Sequence, residues 1–363
     1  MKVAIITDKP YLNCETFIKA QVDNLDMNII HIWKMYDRFE SIGLPAPERL
    51  DDKLKRLFLN KVDAEAKIIR FLKQHQVDLI LAQYGMMGAA FLPIARKMNI
   101  SIAVHFHGHD AVRESVIREY KEKYLKMFRY NKSLFLSVSH VMTQKLMELG
   151  CEPSKIIYNP YGPDPSFFDL KPLFKKKQFV ALGRFVDKKA PFLTILSFYR
   201  AWLKDSEIRL VFGGDGYLLD PCKDLVKALK LDKVVSFPGI LDRKTFQEVL
   251  ENSCGFIQHS ITAGDGDMEG TPVVILEANA AGLPVISTYH AGIPDVIVHG
   301  KTGYLSEPND LESMASHILT VALNLDEAKN MGDSARGRIL KDFTLERYLK
   351  KIKAELVRIQ EYS

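Results

Sequence analysis

The stretch DGDMEGTPVVILEANAAGLPVIST (residues 265–288) runs from a polar turn through a helix into a strand. Gly270, Thr271 and Pro272 read as the helix start: a hydroxyl able to cap, then proline in the first turn, where its missing N–H costs nothing. A helix beginning there aims free backbone N–H groups and the positive end of its dipole outward, and an anionic diphosphate is the natural ligand for such an end. Glu269 precedes the start and Glu277 falls in the second turn, with seven residues between them.

Outward from this stretch, short apolar runs alternate with helical patterns along the whole chain. The second half has strand candidates at 178–183 (QFVALG), 208–214 (IRLVFGG), 234–239 (VVSFPG), 255–260 (GFIQHS) and 284–288 (PVIST). The first half has VAIIT (3–7), NIIHIW (28–33), DLILA (78–82), SIAVHF (101–106) and LFLSV (134–138), with a long helical pattern over 51–76. Such alternation makes a parallel sheet covered on both faces, so the expected class is α/β with two Rossmann-like domains. Around 159–178 the pattern breaks into a segment rich in Pro and Lys, the best linker candidate. The expected division is residues 1–168, residues 169–342, and a C-terminal helix over 343–363 that crosses back to the first domain. Two such domains in sequence are expected to face each other across a cleft lined by strand carboxyl ends.

Length and composition bound the class. At 363 residues, 47% hydrophobic and 26% charged, the chain is an ordinary globular protein long enough for two cores. No window reaches the roughly eighteen consecutive apolar residues of a membrane span, and the opening MKVAIITDKP is too short in apolar residues for a signal peptide. The expected location is the cytoplasm, at the cytoplasmic face of the inner membrane if a lipid-linked partner is used. Cysteines at 14, 151, 222 and 254 lack metal or disulfide spacing and read as free thiols. A net charge of +5 is too small to argue for nucleic acid and suits anionic small molecules or a lipid surface.

The Glu-x7-Glu spacing of Glu269 and Glu277, followed by AxxAGLPVISTxxxGIPDVIxxGxTGYL (278–305), closely resembles the signature of retaining glycosyltransferases of the GT-B fold, family four. The resemblance implies a donor site for a nucleoside-diphosphate sugar, with Glu269 at the sugar ring and Glu277 at the ribose hydroxyls. ALGRFVDKKAPF (181–192) adds Arg184 and Lys189 where a strand ends. A guanidinium and an ammonium there suit a departing diphosphate, and the pattern resembles the family's Gly-Arg-x4-Lys element. Lys188 reads as an exposed basic residue beside it. In VFGGDGYL (211–218), Gly214 and Gly216 would let the backbone approach a ligand, near the nucleotide by resemblance. SFPGIL (236–241) would bring Ile240 near the base.

HFHGHDA (105–111) closes a first-domain strand and resembles the family's His-Gly-x-Asp turn. His107 is thereby the active-site histidine facing the sugar, although a lone histidine is also commonly a hydrogen-bonded structural residue. Gly108 and Asp110 stand with it, Asp110 either orienting a turn or meeting the acceptor. The first strand–helix loop reads TDKPYLNCETFI (7–18), without the glycines a dinucleotide fingerprint needs. It resembles the Ser-Glu-Thr-Phe-Ile variant of bacterial exopolysaccharide (colanic-acid-type) transferases, with Cys14 in the serine slot. Glu15 and Thr16 there either touch the acceptor or cap the first helix. Residues 113–132 hold seven basic and three acidic residues interleaved with Tyr120, Tyr124, Phe128 and Tyr130, which suits either an anionic bilayer or an ordinary sheet-covering helix.

Together these imply an enzyme that moves a sugar, UDP-linked by expectation, to a hydroxyl of a glycan or lipid-linked oligosaccharide in bacterial surface polysaccharide synthesis. By resemblance, the acceptor attacks from the face the leaving group departs and the leaving phosphate takes its proton, which retains the anomeric configuration; the alternative is a covalent sugar–enzyme intermediate, for which the sequence shows no well-placed carboxylate. No cofactor and no metal are expected. The Asp265-Gly266-Asp267 triplet has the metal-chelating form of the other large transferase fold, but here basic side chains would neutralise the diphosphate. A nucleotide-sugar epimerase, which would form product from donor alone, and a non-catalytic partner subunit are the other classes; the latter would be expected to lose Glu269, Arg184 or Lys189.

Overall fold

The computed structural model describes residues 1–8, 15–35, 38–41 and 61–361. Cys14 and the first part of the helical stretch read at 51–76 lie outside the described residues; the rest is the helix Lys61–Gln74. The chain divides into two units, Met1–Val138 with Met142–Asn159 and Leu349–Ser363, and Ser139–Val141 with Pro160–Tyr348. Residues 160–168 thus lie with the second unit, where buried Phe167 packs 5.9 Å (ring centroids) from Phe246.

The first unit holds a sheet of seven strands: β1 (Lys2–Thr7), β2 (Asn28–Met35), β3 (Arg38–Ser41), β4 (Leu79–Gln83), β5 (Ser101–Phe106), β6 (Ser133–Ser137) and β7 (Ile156–Tyr158). Their spatial order is β3-β2-β1-β4-β5-β6-β7, parallel except for β3, which runs antiparallel to β2 at the edge. Strands β4 and β5 are buried along their whole length, the pattern of a parallel sheet covered on both faces. The second unit holds six parallel strands, β8 (Gln178–Leu182), β9 (Arg209–Gly213), β10 (Val235–Ser236), β11 (Gly255–Ile257), β12 (Val285–Thr288) and β13 (Gly303–Ser306). Their order is β10-β9-β8-β11-β12-β13. Strands β3, β7 and β13 were not among the expected runs. Each is three or four residues long at a sheet edge, too short to show a periodicity of its own.

In both sheets the order reverses direction at one place, between β1 and β4 in the first and between β8 and β11 in the second. Connections on either side of such a point leave in opposite directions and open a crevice beyond the strand carboxyl ends, where α/β proteins bind ligands. The tail forms the helix Leu345–Glu361, whose Ile352 and Leu356 are fully buried.

Candidate active site

In the second unit, the loop after β8 is pinned by Phe185, buried with its ring 4.6 Å from that of Phe212, which leaves its neighbour Arg184 exposed. A 3₁₀ turn, Asp187–Lys189, follows, and Pro191 opens the helix Pro191–Trp202. The Lys189 ammonium lies 3.1 Å from Glu269 Oε1 and donates to Gln258 Oε1 at 3.2 Å. Burial works against the charge of both groups. It draws Lys189 below its usual range despite Glu269, whereas the ammonium groups of Lys189 and Lys188 overcome it at Glu269 and hold that carboxyl low. The Glu269 N–H donates to His290 Nε2 at 3.4 Å, which asks for a neutral imidazole, and burial pushes His290 down. Gln258, one residue past β11, was missed by the sequence reading. Its signal was its position at the switch point.

The helix expected from Thr271 begins later, as Val273–Ala280, with Pro272 at the cap and no side-chain cap bond. Pro272 is extended (ψ 114°), so it sits before the first turn instead of inside it, and Pro272, not Thr271, occupies the cap position. The Gly270 carbonyl accepts from Gly292 N–H at 3.1 Å, closing this turn against the loop after β12. At the far end Arg336 Nε donates to Ala280 O at 3.0 Å, a cation on the negative helix end. Glu277 is partly exposed on this helix; burial pushes its carboxyl up to about 7, against the pull of Arg243. Arg243 itself pairs with Asp164 at 2.5 Å.

One expectation on this unit changes. Lys188 is buried, not exposed: it pairs with Asp267, and the Asp-x-Asp triplet spends one carboxylate on that cation. Gly214 and Gly216 serve the protein's own backbone. A Cβ at Gly214 would stand 1.9 Å from the Gly183 oxygen, and one at Gly216 would stand 2.4 Å from that of Phe185. Both have positive φ (131° and 149°), so these glycines let the loops after β8 and β9 touch. Gly214 N–H donates to the Gly239 carbonyl at 2.7 Å, and the next residue, Ile240, is 75% exposed, a large apolar side chain left open to solvent.

In the first unit, Asp110 orients the turn. It is fully buried; Oδ1 accepts from His107 N–H (3.0 Å) and Gly108 N–H (2.9 Å), and Oδ2 accepts from Gly85 N–H (2.9 Å). His107 Nε2 lies 2.9 Å from Gln83 Oε1, Gln83 Nε2 donates to Gln21 Oε1 (2.7 Å), and Gln21 Nε2 lies 3.2 Å from His105 Nδ1. With Gln83 accepting, His107 Nε2 must donate, which sets its tautomer. Burial, helped by His105 and His109, holds His107 well below the usual histidine range, so it is neutral. Its ring stands 4.6 Å from those of Phe17 and Tyr84. Tyr84 has φ 70°, a conformation costly for a non-glycine residue and common at functional sites, and its hydroxyl donates to Glu15 Oε1 at 2.9 Å. Glu15 stands at the cap of the helix Thr16–Asn24, but its side chain does not cap it. Gln83 and Tyr84 were also missed; they close β4 at the switch point.

The basic stretch forms the helix Glu114–Phe128, with Tyr124 and Phe128 in the core and Arg118, Lys121, Lys123 and Lys126 exposed. Its aromatic residues therefore face inward more than the sequence spacing suggested. Among the described residues, no helix is long and apolar enough to cross a membrane. Cys151, Cys222 and Cys254 are free and buried.

The family pattern described as Glycosyl transferases group 1 matches residues 165–338, and that of Glycosyltransferase Family 4 matches residues 35–167. The chain is similar to the colanic acid biosynthesis glycosyltransferase WcaL of Salmonella typhimurium, at 28% identity over 301 residues, 81% of this chain and 73% of that protein. It is also similar to the amylovoran biosynthesis glycosyltransferase AmsK of Erwinia amylovora, at 28% identity over 279 residues, 75% of this chain and 68% of that one. Among solved structures, Anabaena HepE in complex with UDP and glucose matches with a TM-score of 0.76 at 15% identity, over 99% of this chain and 100% of that one. Staphylococcus aureus TarM matches with a TM-score of 0.65 at 19% identity; 81% of this chain is covered, but it spans only 58% of TarM.

Proposed function

Because this chain is a group 1 glycosyltransferase of the GT-B fold and of exopolysaccharide type, we propose that it moves a hexosyl unit from a nucleoside-diphosphate sugar with retention of configuration. The observation that carries the reading is the buried Lys189–Glu269 pair beside exposed Arg184, at the carboxyl ends of β8 and β11. Lys189 and Arg184 supply fixed positive charge for the leaving diphosphate, whose negative charge grows in the transition state. Glu269, held ionised by the lysines, accepts hydrogen bonds from sugar hydroxyls. Gly270, Thr271 and Pro272 bring the N-terminus of the helix Val273–Ala280 to the donor. Glu277 takes the ribose hydroxyls, and Ile240, beside Gly214 and Gly216, lies at the base. UDP is favoured as the nucleotide, and HepE, solved with UDP and glucose, supports that choice.

The acceptor hydroxyl belongs with His107, Gly108, Glu15 and Thr16 of the first unit, and Asp110 holds that turn. A neutral His107 locked through Nε2 to Gln83 is a positioning group and a poor proton acceptor. The leaving phosphate takes the acceptor proton in a front-face attack. With two cations at the diphosphate the reaction needs no metal, and no further cofactor is involved. The acceptor is a glycan or lipid-linked oligosaccharide of a bacterial surface polysaccharide, a reading supported by the names of WcaL and AmsK. The exposed cations of the helix Glu114–Phe128 would hold the enzyme to an anionic cytoplasmic membrane face.

The test follows hydrolysis of UDP-glucose and UDP-N-acetylglucosamine by NMR with EDTA present. Release of the α-anomer first, with an undiminished rate, is expected. A β-anomer would overturn retention, loss of activity in EDTA would overturn metal independence, and an epimerised nucleotide sugar would make the protein an epimerase. Flotation with anionic liposomes at low salt checks the membrane contact, which absence of binding would remove.

A further inference from the structure

The turn after β8 sets two lysines side by side, and each grips one residue of the same segment. Lys189 reaches Glu269. Lys188 reaches Asp267, two residues earlier: Nζ is 3.1 Å from Oδ1 and donates to the Met268 carbonyl at 3.0 Å. Each side chain of this second pair is only 10% exposed. An ion pair removed from water is strongly coupled to its surroundings, because removal of one partner strands the other.

The loop that the pair closes is also tied by its backbone. Ile261 N–H donates to the Lys188 carbonyl (3.0 Å), Ala263 N–H to the Asp267 carbonyl (2.9 Å), and Gly266 N–H to the Ala263 carbonyl (2.9 Å). Asp267 N–H donates to Asp265 Oδ1 at 3.0 Å. Both ends of residues 261–268 are therefore held by Lys188, one by its carbonyl and the other by its ammonium. The next residue is Glu269, and the charge of Lys188 also helps keep its carboxyl ionised.

We propose that Lys188 and Asp267 are positioning residues for the donor sugar: their buried pair fixes residues 261–268 so that Glu269 meets the hexosyl part of the donor. The proposal rests on the sugar-donor reading above and gives the Asp-x-Asp segment a charge-pairing role. It separates two affinities. The nucleoside diphosphate is held by Arg184, Lys189 and Glu277, which the pair does not carry, whereas the sugar depends on Glu269.

The test compares the full-length protein with Lys188→Met and with the double variant Lys188→Met/Asp267→Leu. The double variant removes both ions of the Lys188–Asp267 pair together and keeps the test alive if the single variant does not fold. Titration calorimetry measures binding of UDP, GDP, UDP-glucose, UDP-N-acetylglucosamine and GDP-mannose, and NMR follows nucleotide release from the sugar conjugates. Expected in the folded variants are diphosphate affinity within about twofold of the parent and nucleotide release about a hundredfold slower, the scale of a displaced reacting group. Release at the parental rate in the folded double variant overturns the proposal, and so does an equal loss of diphosphate affinity, which would make the pair a prop of the whole unit. If the parent binds none of the five probes, the sugar-donor reading itself fails and takes this proposal with it; parental binding with unaffected variants removes the proposal alone.

Discussion

Glu277 combines a carboxyl, partial burial and a helix flank, and these pull against each other. Its folded pKa of about 7 lies above the ordinary 4.5, so the native state prefers the protonated form. The stability this contributes is complete below the unfolded pKa and is lost as pH rises through about 7. Glu277→Gln is therefore expected to stabilise the ligand-free protein little at pH 5 and by about 1–2 kcal/mol at pH 8, taking about 1.4 kcal/mol per pKa unit and discounting for partial exposure. The same change should weaken UDP binding by about tenfold, since an amide accepts ribose hydrogen bonds less strongly than a carboxylate. Thermal melts at the two pH values and calorimetry check the pair of effects; tighter UDP binding in the variant would remove Glu277 from the nucleotide site. At this scale the spacing of Glu269 and Glu277 and the pairing of Arg184 with Lys189 were legible in the chain. Lys188 was not, because nothing in its neighbours shows that Asp267, distant in sequence, comes within 3.1 Å.

Helix interiors were legible and their ends less so, since periodicity survives in sequence while a cap depends on one ψ angle, as at Pro272. The helix Leu325–Asp342 shows what packing adds. Its two interior glycines look alike in the sequence, yet a Cβ at Gly332 would stand 1.9 Å from the Gly282 carbonyl, whereas one at Gly337 meets nothing within 4 Å. Gly337→Ala is expected to stabilise the protein by about 0.5–1 kcal/mol through helix propensity. Gly332→Ala should destabilise it by about 2 kcal/mol or more, because the helix must move away from Gly282 and with it Arg336, which holds the end of the helix Val273–Ala280. Urea denaturation of the two variants tests this; equal effects of one sign would mean that propensity alone governs this helix.

At the scale of the whole molecule, the chain's last segment returns to its first unit. Leu349–Ser363 belongs with the first unit, and Lys353 pairs with Asp26 at 2.5 Å, while the buried Ile352 and Leu356 provide the apolar contact. The exposed ion pair adds little, so the attachment depends on the apolar face. The two tryptophans report separately, Trp33 from the first unit and Trp202 from the second. Deletion of 349–363 is expected to lower the denaturation midpoint read by Trp33 in a Trp202→Phe background. The midpoint read by Trp202 in a Trp33→Phe background should change far less. Identical losses at both tryptophans would show that the segment serves the two units alike.

The α/β class, the two-sheet organisation and the spacing of Arg184, Lys189, Glu269 and Glu277 were determined by the sequence itself, because apolar periodicity acts over a few neighbouring positions. The edge strands β3, β7 and β13 and the strand order were decided by the tertiary structure, since pairing joins residues far apart in the chain. The same holds for the buried Lys188–Asp267 pair, the bond from Gly85 N–H to Asp110 and the Gln83–His107 lock. Each depends on desolvation and on distances of about 3 Å between segments that only the folded chain brings together.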